Sequence, residues 1–178
     1  ITISECACVL QYAQTVFEGL KAYTTEDGRV VCFRPDLNAS RLADSASRLE
    51  MPVFPEDRFV DAIAKVVEAN IDYVPPYGSG ATLYIRPYMF GSDAIIGVKP
   101  ANEYQFRVFT TPVGPYFKGG AKPITIRVSD FDRAAPHGTG VYKVGGNYAA
   151  SLRANKKAHD LGYSCEFYLD AKEKKYID

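Results

Sequence analysis

Lys143 is the residue whose surroundings are best suited to covalent chemistry. It lies in the run Tyr-Lys-Val-Gly-Gly-Asn-Tyr at positions 142–148, and no acidic residue lies within several positions to pair with its ammonium group. Loss of water and the positive end of a helix both disfavour an ammonium ion, and a neutral lysine amine attacks an aldehyde to form a Schiff base. A surface lysine in a glycine-rich turn is the commoner meaning of such a motif, so the assignment depends on the rest of the chain.

The composition indicates a soluble globular protein. Its 178 residues are 47% hydrophobic, which is enough to form the core of one domain or two small ones. The 21 basic residues equal the 21 acidic residues in number, so no global field attracts nucleic acid or an anionic membrane. No apolar run reaches the length of a membrane span, and the first residues lack the basic character of a signal peptide. We therefore expect a cytoplasmic protein with neither nucleic acid nor a membrane as partner.

The cysteines and histidines form no recognisable metal motif. The four cysteines, at positions 6, 8, 32 and 165, have neither Cys-X-X-Cys spacing nor the density of a disulfide scaffold. Only two histidines, His137 and His159, are present. We expect reduced cysteines and no bound metal.

The first half of the chain predicts strands and two helices. Strands over residues 15–23 and 29–34 are expected to form a hairpin, because Asp27-Gly28 supplies the positive φ angles of a tight turn. Apolar residues at helical spacing predict helices from Pro35 to just before Pro52 and over residues 55–73. Strands are predicted at 81–90 and 104–111. Alternation along 81–90 places Thr82, Tyr84, Arg86 and Tyr88 on one face, with Leu83, Ile85 and Met89 on the other.

A segment rich in proline and glycine separates this half from the rest. Residues 112–123 are interpreted as an interdomain linker or lid. After it, a strand is predicted at 124–131, a helix at 147–161 and a strand at 165–170. The first residues resemble a strand, and an apolar alternation restarts shortly before Asp178. We expect both ends to belong to a longer protein.

Several motifs accompany the lysine in a fixed order. They are Tyr12 with Phe-Glu-Gly-Leu-Lys-Ala-Tyr at 17–23, Phe-Arg-Pro at 33–35 with Asn38 and Arg41, Leu-Tyr-Ile-Arg-Pro at 83–87, and Arg-Ala-Ala-Pro at 133–136. Each motif alone is weak. Together with the lysine motif they closely resemble the branched-chain amino acid aminotransferases, pyridoxal phosphate enzymes of fold type IV, over nearly the whole chain.

The resemblance implies a mixed α+β and α/β architecture. A small N-terminal α/β domain with an antiparallel sheet and helices would occupy residues 1–111. The linker at 112–123 would follow, and residues 124–178 would form the first part of a larger, barrel-like α/β domain that binds the cofactor.

The resemblance also implies roles for individual residues. Lys143 would form the Schiff base with pyridoxal 5'-phosphate and, once displaced by the amino acid, act as the general base at its Cα. Arg41 would bind the cofactor phosphate, and Tyr148 would donate a hydrogen bond to the cofactor's phenolate oxygen. The implied reaction exchanges amino groups between leucine, isoleucine or valine and 2-oxoglutarate, with ping-pong kinetics.

Four further residues are implied to meet the substrate. Phe17 and Tyr84 match aromatic walls of the side-chain pocket, and Arg86 matches a residue that accommodates the second carboxylate of glutamate. Tyr12 matches a tyrosine that reaches into the neighbouring subunit's site, so a homodimer is implied. Apolar walls with one reachable cation would suit both kinds of substrate.

Two other functions remain open. A D-amino acid aminotransferase or an aminodeoxychorismate lyase, also of fold type IV, would share the lysine chemistry with a different substrate. A non-catalytic fragment that serves as an interaction module belongs to another class of protein altogether.

The family's glutamate that pairs with the cofactor's ring nitrogen would lie just beyond Asp178. The isolated 178-residue chain is therefore expected to be inactive or nearly so, because the ring nitrogen would not be held protonated. Purified chain mixed with pyridoxal phosphate tests this expectation through its absorption spectrum and its turnover of L-leucine. Full cofactor loading together with normal turnover would contradict it.

Overall fold

The structure of the protein is a computed structural model that describes residues 2–115 and 122–178. It divides into two units, Ile1–Gly120 and Ala121–Asp178. Half of the predicted linker, residues 116–121, lies outside the described residues.

The first unit is built on a five-stranded antiparallel sheet. Its strands are β1 (Thr15–Phe17), β2 (Leu20–Thr24), β3 (Val30–Cys32), β4 (Thr82–Gly91) and β5 (Tyr104–Val113). The long strand β4 lies at the centre, since β5 pairs with it along one edge while β1 and β2 follow one another along the other edge. β3 pairs with β2 to form the hairpin.

β1 and β2 behave as one strand with an interruption at Glu18-Gly19. Phe17 is opposite Tyr88 and Leu20 is opposite Ile85, so both strands keep a single register along β4. Glu18 donates its backbone N–H to the Pro87 carbonyl at 2.8 Å. Pro87 has no N–H to return the bond, so the ladder breaks here.

Side chains of the central strands alternate between two faces. Leu83, Ile85 and Met89 are buried, whereas Tyr84 and Arg86 are partly exposed on the other face. This confirms the predicted alternation. On the helix-covered side, the largest buried side chains are Phe59, Leu42, Ile63, Leu83 and Ile85.

Among its described residues, the first unit also has three α-helices: α1 (Cys8–Tyr12), α2 (Pro35–Arg48) and α3 (Glu56–Glu68). α2 begins at Pro35 as predicted, since proline lacks only an N–H that the first helical turn does not use. The expected strand at the beginning of the chain is wrong for the described residues, because residues 2–6 form no strand and the short helix α1 follows them. α3 is shorter than predicted: the Asn70 side chain donates to the Val66 carbonyl at 2.8 Å, and a 3₁₀ turn, Ile71–Tyr73, follows.

The hairpin prediction is confirmed. Ala22 pairs with Cys32, and Gly28 has a φ of 81° at the turn. The other strand predictions are correct in type and differ at their ends. β4 extends to Gly91, and β5 runs to Val113, so the first two residues of the predicted linker belong to a strand.

The second unit contains one parallel strand pair with a helix between its strands in sequence. β6 (Ile126–Val128) pairs with β7 (Cys165–Phe167), and α4 (Gly145–Asp160) connects them. Both strands are shorter than predicted, and α4 begins two residues earlier. α4 turns Ala154 and Ala158 inward, so only small side chains from this helix are fully buried.

A buried ion pair joins the two parallel strands. Arg127 is opposite Glu166 and donates to its carboxylate at 2.7 Å, while a second donor reaches Asp130 at 2.5 Å. The pKa of Arg127 is raised, chiefly by the hydrogen bond to Asp130. The Glu166 side chain is wholly buried, so its pairing with Arg127 offsets the cost of removing a carboxylate from water.

Asp170 organises the turn after β7. Its carboxylate accepts hydrogen bonds from the backbone N–H groups of Glu173, Lys175 and Tyr176 at 2.6, 2.9 and 2.8 Å. These bonds, first of all the one from Glu173, lower the pKa of Asp170 to about 2. The turn brings Ile177 back beside Leu169.

The Asp170 turn is predicted to weaken in acid. Because folding lowers the pKa of Asp170 from 3.8 to about 2, its carboxylate stabilises the turn above pH 3.8, and this stabilisation is lost as the pH falls through 2. In Asp170→Ala, amide exchange at Glu173, Lys175 and Tyr176 should be faster than in the wild type at about pH 6 and similar to it near pH 2.

The amide of Ser164 serves as the internal control, since it donates to the Thr125 carbonyl at 2.8 Å and does not involve Asp170. Equal exchange of the turn amides in both proteins at about pH 6 would show that the carboxylate does not hold the turn.

Candidate active site

Lys143 lies immediately before α4. Val144 is the residue that precedes the helix. It is buried, so the backbone next to the lysine is anchored within the second unit. Tyr148 lies in the first turns of α4. This geometry brings the two side chains together: Lys143 Nζ donates to Tyr148 Oη at 2.6 Å and lies 4.8 Å from the centre of its ring.

The Lys143–Tyr148 pair lies at a helix N-terminus, which sets its electrostatic environment. The first turn of α4 contains no acidic residue. The N-terminus of a helix carries a partial positive charge and unpaired N–H groups, which favour an anionic or electron-rich partner. An amine and a phenol at this helix end can therefore act together on a polar ligand.

Asn147 fixes the loop that leads to Lys143. Its side-chain amide donates to the carbonyls of Thr139 and Tyr142 at 2.7 and 2.9 Å, and its oxygen accepts from the Thr139 hydroxyl at 2.7 Å. One side chain on α4 thus satisfies two loop carbonyls and one hydroxyl. The last residue before Lys143 is held by this network.

Arg41 and Asn38 project from α2 onto a buried carboxylate. Arg41 donates to both oxygens of Glu18, from Nε at 2.6 Å and from Nη2 at 2.7 Å. Asn38 adds a bond to Glu18 at 2.7 Å. Glu18 is wholly buried, whereas the Arg41 side chain is 53% exposed. The guanidinium is therefore held on one edge while much of it faces solvent.

Phe17, Tyr84 and Arg86 form one cluster on the open face of the sheet. Arg86 donates to the Tyr84 hydroxyl from Nε at 3.0 Å and from Nη2 at 2.6 Å. Its guanidinium carbon lies 4.6 Å from the centre of the Phe17 ring, within cation–π range. A Cβ at Gly19 would collide with the Tyr84 hydroxyl, so the absence of a side chain at Gly19 leaves the space that this hydroxyl occupies. The cluster combines aromatic surface with a cation.

Tyr12 lies apart from that cluster. It is the last residue of α1 and lines a cleft of about 300 Å³ with Glu50 and Lys99. Tyr84 lines a different cleft, of about 260 Å³, with Gly19 and Asn38. The structure therefore brings Phe17, Tyr84 and Arg86 together and leaves Tyr12 on another part of the first unit.

Glu18 and Asn147 were assigned no role from the sequence. Glu18 is a charged residue at a position whose neighbours in alternation, Val16 and Leu20, are core residues. That mismatch is a signal that a buried partner exists. Asn147 is a polar residue near the start of a helix, where asparagine often bonds to the backbone of the preceding loop.

Two kinds of feature are absent from the part of the chain that the structure describes. Residues 2–115 and 122–178 contain no group of three or more His, Cys, Asp or Glu side chains placed to hold a metal ion. Within the same residues, no helix has both the length and the apolar character to cross a membrane.

Comparison with known proteins adds a family to this geometry. The profile of the family described as "Amino-transferase class IV" matches residues 15–172. A branched-chain-amino-acid aminotransferase of Haemophilus influenzae is 51% identical over 175 residues, which are 96% of this chain and 51% of that protein. The chain therefore spans about half the length of this relative.

Solved structures agree with the fold. A branched-chain amino acid aminotransferase of T.th. with pyridoxamine 5'-phosphate superposes with a TM-score of 0.82 at 30% identity, covering 96% of this chain and 55% of that one. The same enzyme complexed with N-(5'-phosphopyridoxyl)-L-glutamate gives a TM-score of 0.78 at 28% identity, covering 96% and 53%.

The fold matches that of solved branched-chain aminotransferases. Because the family profile covers most of its residues, the chain belongs to the class IV aminotransferase family.

Asn147→Ala is predicted to loosen the Lys143 loop. The change leaves the Thr139 and Tyr142 carbonyls without this donor, and the loss should lower the free energy of unfolding by about 1–3 kcal/mol. Asn155→Ala is the matched control, because it makes the same change on the same helix where the amide makes only a 3.4 Å contact to Ser151. Urea unfolding of both variants checks the prediction, and equal stability would contradict it.

Proposed function

We propose that the protein is a pyridoxal phosphate-dependent aminotransferase of branched-chain L-amino acids. It would transfer the amino group of leucine, isoleucine or valine to 2-oxoglutarate, giving the branched-chain 2-oxo acid and L-glutamate. The observation that carries this proposal is the Lys143–Tyr148 pair, 2.6 Å apart at the start of α4. The 51% identity to the Haemophilus influenzae aminotransferase supports the choice of substrates.

The residues present suit pyridoxal phosphate chemically. The cofactor offers an aldehyde, a ring oxygen and a phosphate, and the chain offers an amine, a phenol and a half-exposed guanidinium for them: Lys143, Tyr148 and Arg41. When bound, the cofactor supplies an electron sink that stabilises negative charge at the Cα of the amino acid. Pyridoxamine 5'-phosphate in the related T.th. enzyme supports this assignment.

Lys143 has two roles in the proposal. Its amine would hold the cofactor through the cofactor's aldehyde, and the same amine would serve as the general base that takes a proton from the substrate Cα. Its hydrogen bond to Tyr148 keeps Nζ at one place near the helix end. The phenol of Tyr148 would donate a hydrogen bond to the ring oxygen of the cofactor and so favour its anionic form.

Arg41 is the proposed phosphate ligand. Glu18 already engages its Nε and Nη2, so a phosphate would be met by the other donor edge, Nη1 together with the second hydrogen of Nη2. A guanidinium offers two nearly parallel N–H groups on that edge as well.

The open-face cluster is the proposed substrate wall. Phe17 and Tyr84 supply aromatic carbon for a branched aliphatic side chain, and Arg86 supplies a cation for the second carboxylate of glutamate. Because Arg86 lies over both aromatic rings, one surface serves an apolar and an acidic substrate. The complex of the T.th. enzyme with phosphopyridoxyl-L-glutamate supports a glutamate subsite in this family.

The remaining assignments follow from the same proposal. Tyr12 would contribute to the neighbouring subunit's site in a homodimer, and its 39% exposure leaves it accessible for that role. A cytoplasmic enzyme of branched-chain amino acid biosynthesis fits the reaction. A D-amino acid aminotransferase, an aminodeoxychorismate lyase and a non-catalytic interaction module are the competing functions.

Lys143→Ala is predicted to abolish transamination in the complete polypeptide that the gene encodes. Turnover of L-leucine with 2-oxoglutarate should fall by at least ~100-fold, because the variant lacks the general base. Treatment with borohydride followed by peptide mass spectrometry should find the cofactor attached at Lys143 in the wild type and unattached in the variant. Lys156→Ala is the control, since Lys156 pairs with Asp160 on an exposed face of α4.

The same assay separates the competing functions. Faster turnover of D-alanine than of L-leucine would favour the D-amino acid enzyme, and cofactor attachment with no amino transfer would favour the lyase. Absence of cofactor attachment in the wild-type protein would leave the non-catalytic interaction module as the remaining candidate function.

A further inference from the structure

Glu18 is the most enclosed ionisable side chain next to the proposed phosphate ligand. Its carboxylate is wholly buried and accepts four hydrogen bonds. They come from Arg41 Nε at 2.6 Å, Arg41 Nη2 at 2.7 Å, Asn38 Nδ2 at 2.7 Å and the Gly19 N–H at 3.3 Å. Both carboxylate oxygens are engaged, so the group has a single orientation.

This carboxylate is itself fixed to the sheet. The Glu18 N–H bonds to the Pro87 carbonyl on β4, which lies opposite it in the register shared by β1 and β2. Arg41 is fixed at its base by α2. The Arg41 side chain is therefore held at both ends. Its base is fixed by the helix, and its guanidinium is fixed by a carboxylate that belongs to the sheet.

Stability alone is a weak explanation for this pair. Burying a carboxylate is costly even with a partner, and apolar residues of similar volume often replace such pairs without loss. Orientation is a better explanation, since a long arginine side chain loses much rotamer freedom when it binds a ligand and loses less if it is already held.

We propose that Glu18 is a positioning residue that orients Arg41 for the phosphate of the cofactor, with Asn38 as its support. This inference rests on the proposed function. The bidentate contact uses the Nε–Nη2 edge of a side chain that is 53% exposed, so the opposite edge is the one that a phosphate would meet. A phosphate monoester has the charge and the paired oxygens that such an edge binds best.

Glu18 also has an electrostatic effect that opposes orientation, because its negative charge partly cancels the positive charge of Arg41 that attracts a phosphate. The two effects predict opposite results. If orientation dominates, weakening Glu18 lowers phosphate affinity; if charge cancellation dominates, it raises that affinity. Arg41 is half exposed, so solvent screens the charge effect, and orientation is expected to dominate.

The test compares pyridoxal phosphate with pyridoxal, which lacks the phosphate, as ligands of the complete encoded polypeptide. In Glu18→Gln, affinity for pyridoxal phosphate should fall ~10-fold, the typical cost of ordering one long side chain. Affinity for pyridoxal should change little. Asn38→Ala should show a smaller loss with the same preference, and it decides the question if Glu18→Gln does not fold.

A double-mutant cycle separates orientation from general damage. Arg41→Ala should lose the same phosphate preference, and adding Glu18→Gln to it should cause no further loss, because Glu18 acts through Arg41. Asp36→Asn is the control, since Asp36 pairs with Arg34 at an exposed site on the same helix. Equal weakening of both ligands, tighter binding of pyridoxal phosphate, or additive losses in the cycle would each overturn the proposal.

These outcomes remain distinct from failure of the proposed function. If borohydride still attaches the cofactor at Lys143 in Glu18→Gln, the catalytic assignment stands whatever happens to the phosphate preference. If the wild-type protein attaches no cofactor at all, the function proposed above fails first.

Discussion

The alternation of side chains along β4 is the constraint on which the first unit depends. Every second residue of this strand faces the helices and is buried, and the residues between them face the open side. β1 and β2 follow β4 in one register, so they extend the same division across the sheet. A shift of one residue in that register would exchange the core with the Phe17–Tyr84–Arg86 cluster.

Glu18 is the exception to this division, and its partners explain how it is tolerated. It occupies a core position, where an unpaired carboxylate would be strongly destabilising. Removing one partner from a buried ion pair typically costs about 3–5 kcal/mol, whereas an exposed pair on a helix such as Lys65–Asp61 contributes roughly 0.3–0.5 kcal/mol. The Glu18–Arg41 pair lies between these limits because only the carboxylate is enclosed.

The sequence predicted what depends on local pattern. Alternation identified both faces of β4, Asp27-Gly28 identified the hairpin, and Pro35 marked the start of α2. The part that could not be predicted depends on contacts between distant residues. Nothing local indicates that Arg41 bonds to Glu18, 23 positions away. The end of α3 was also missed, because apolar spacing continues past the point where the Asn70 side chain bonds to the helix backbone.

The position of Lys143 is determined more by its loop than by the helix that follows. Two glycines open α4, and glycine costs about 1 kcal/mol relative to alanine within a helix. The three hydrogen bonds of Asn147 offset part of this cost and fix the helix start. A Cβ added at Gly146 would meet nothing within 4 Å, so packing among the described residues does not require a glycine there. A glycine with open space beside it is expected where a ligand approaches the backbone closely, which agrees with a cofactor held at Lys143.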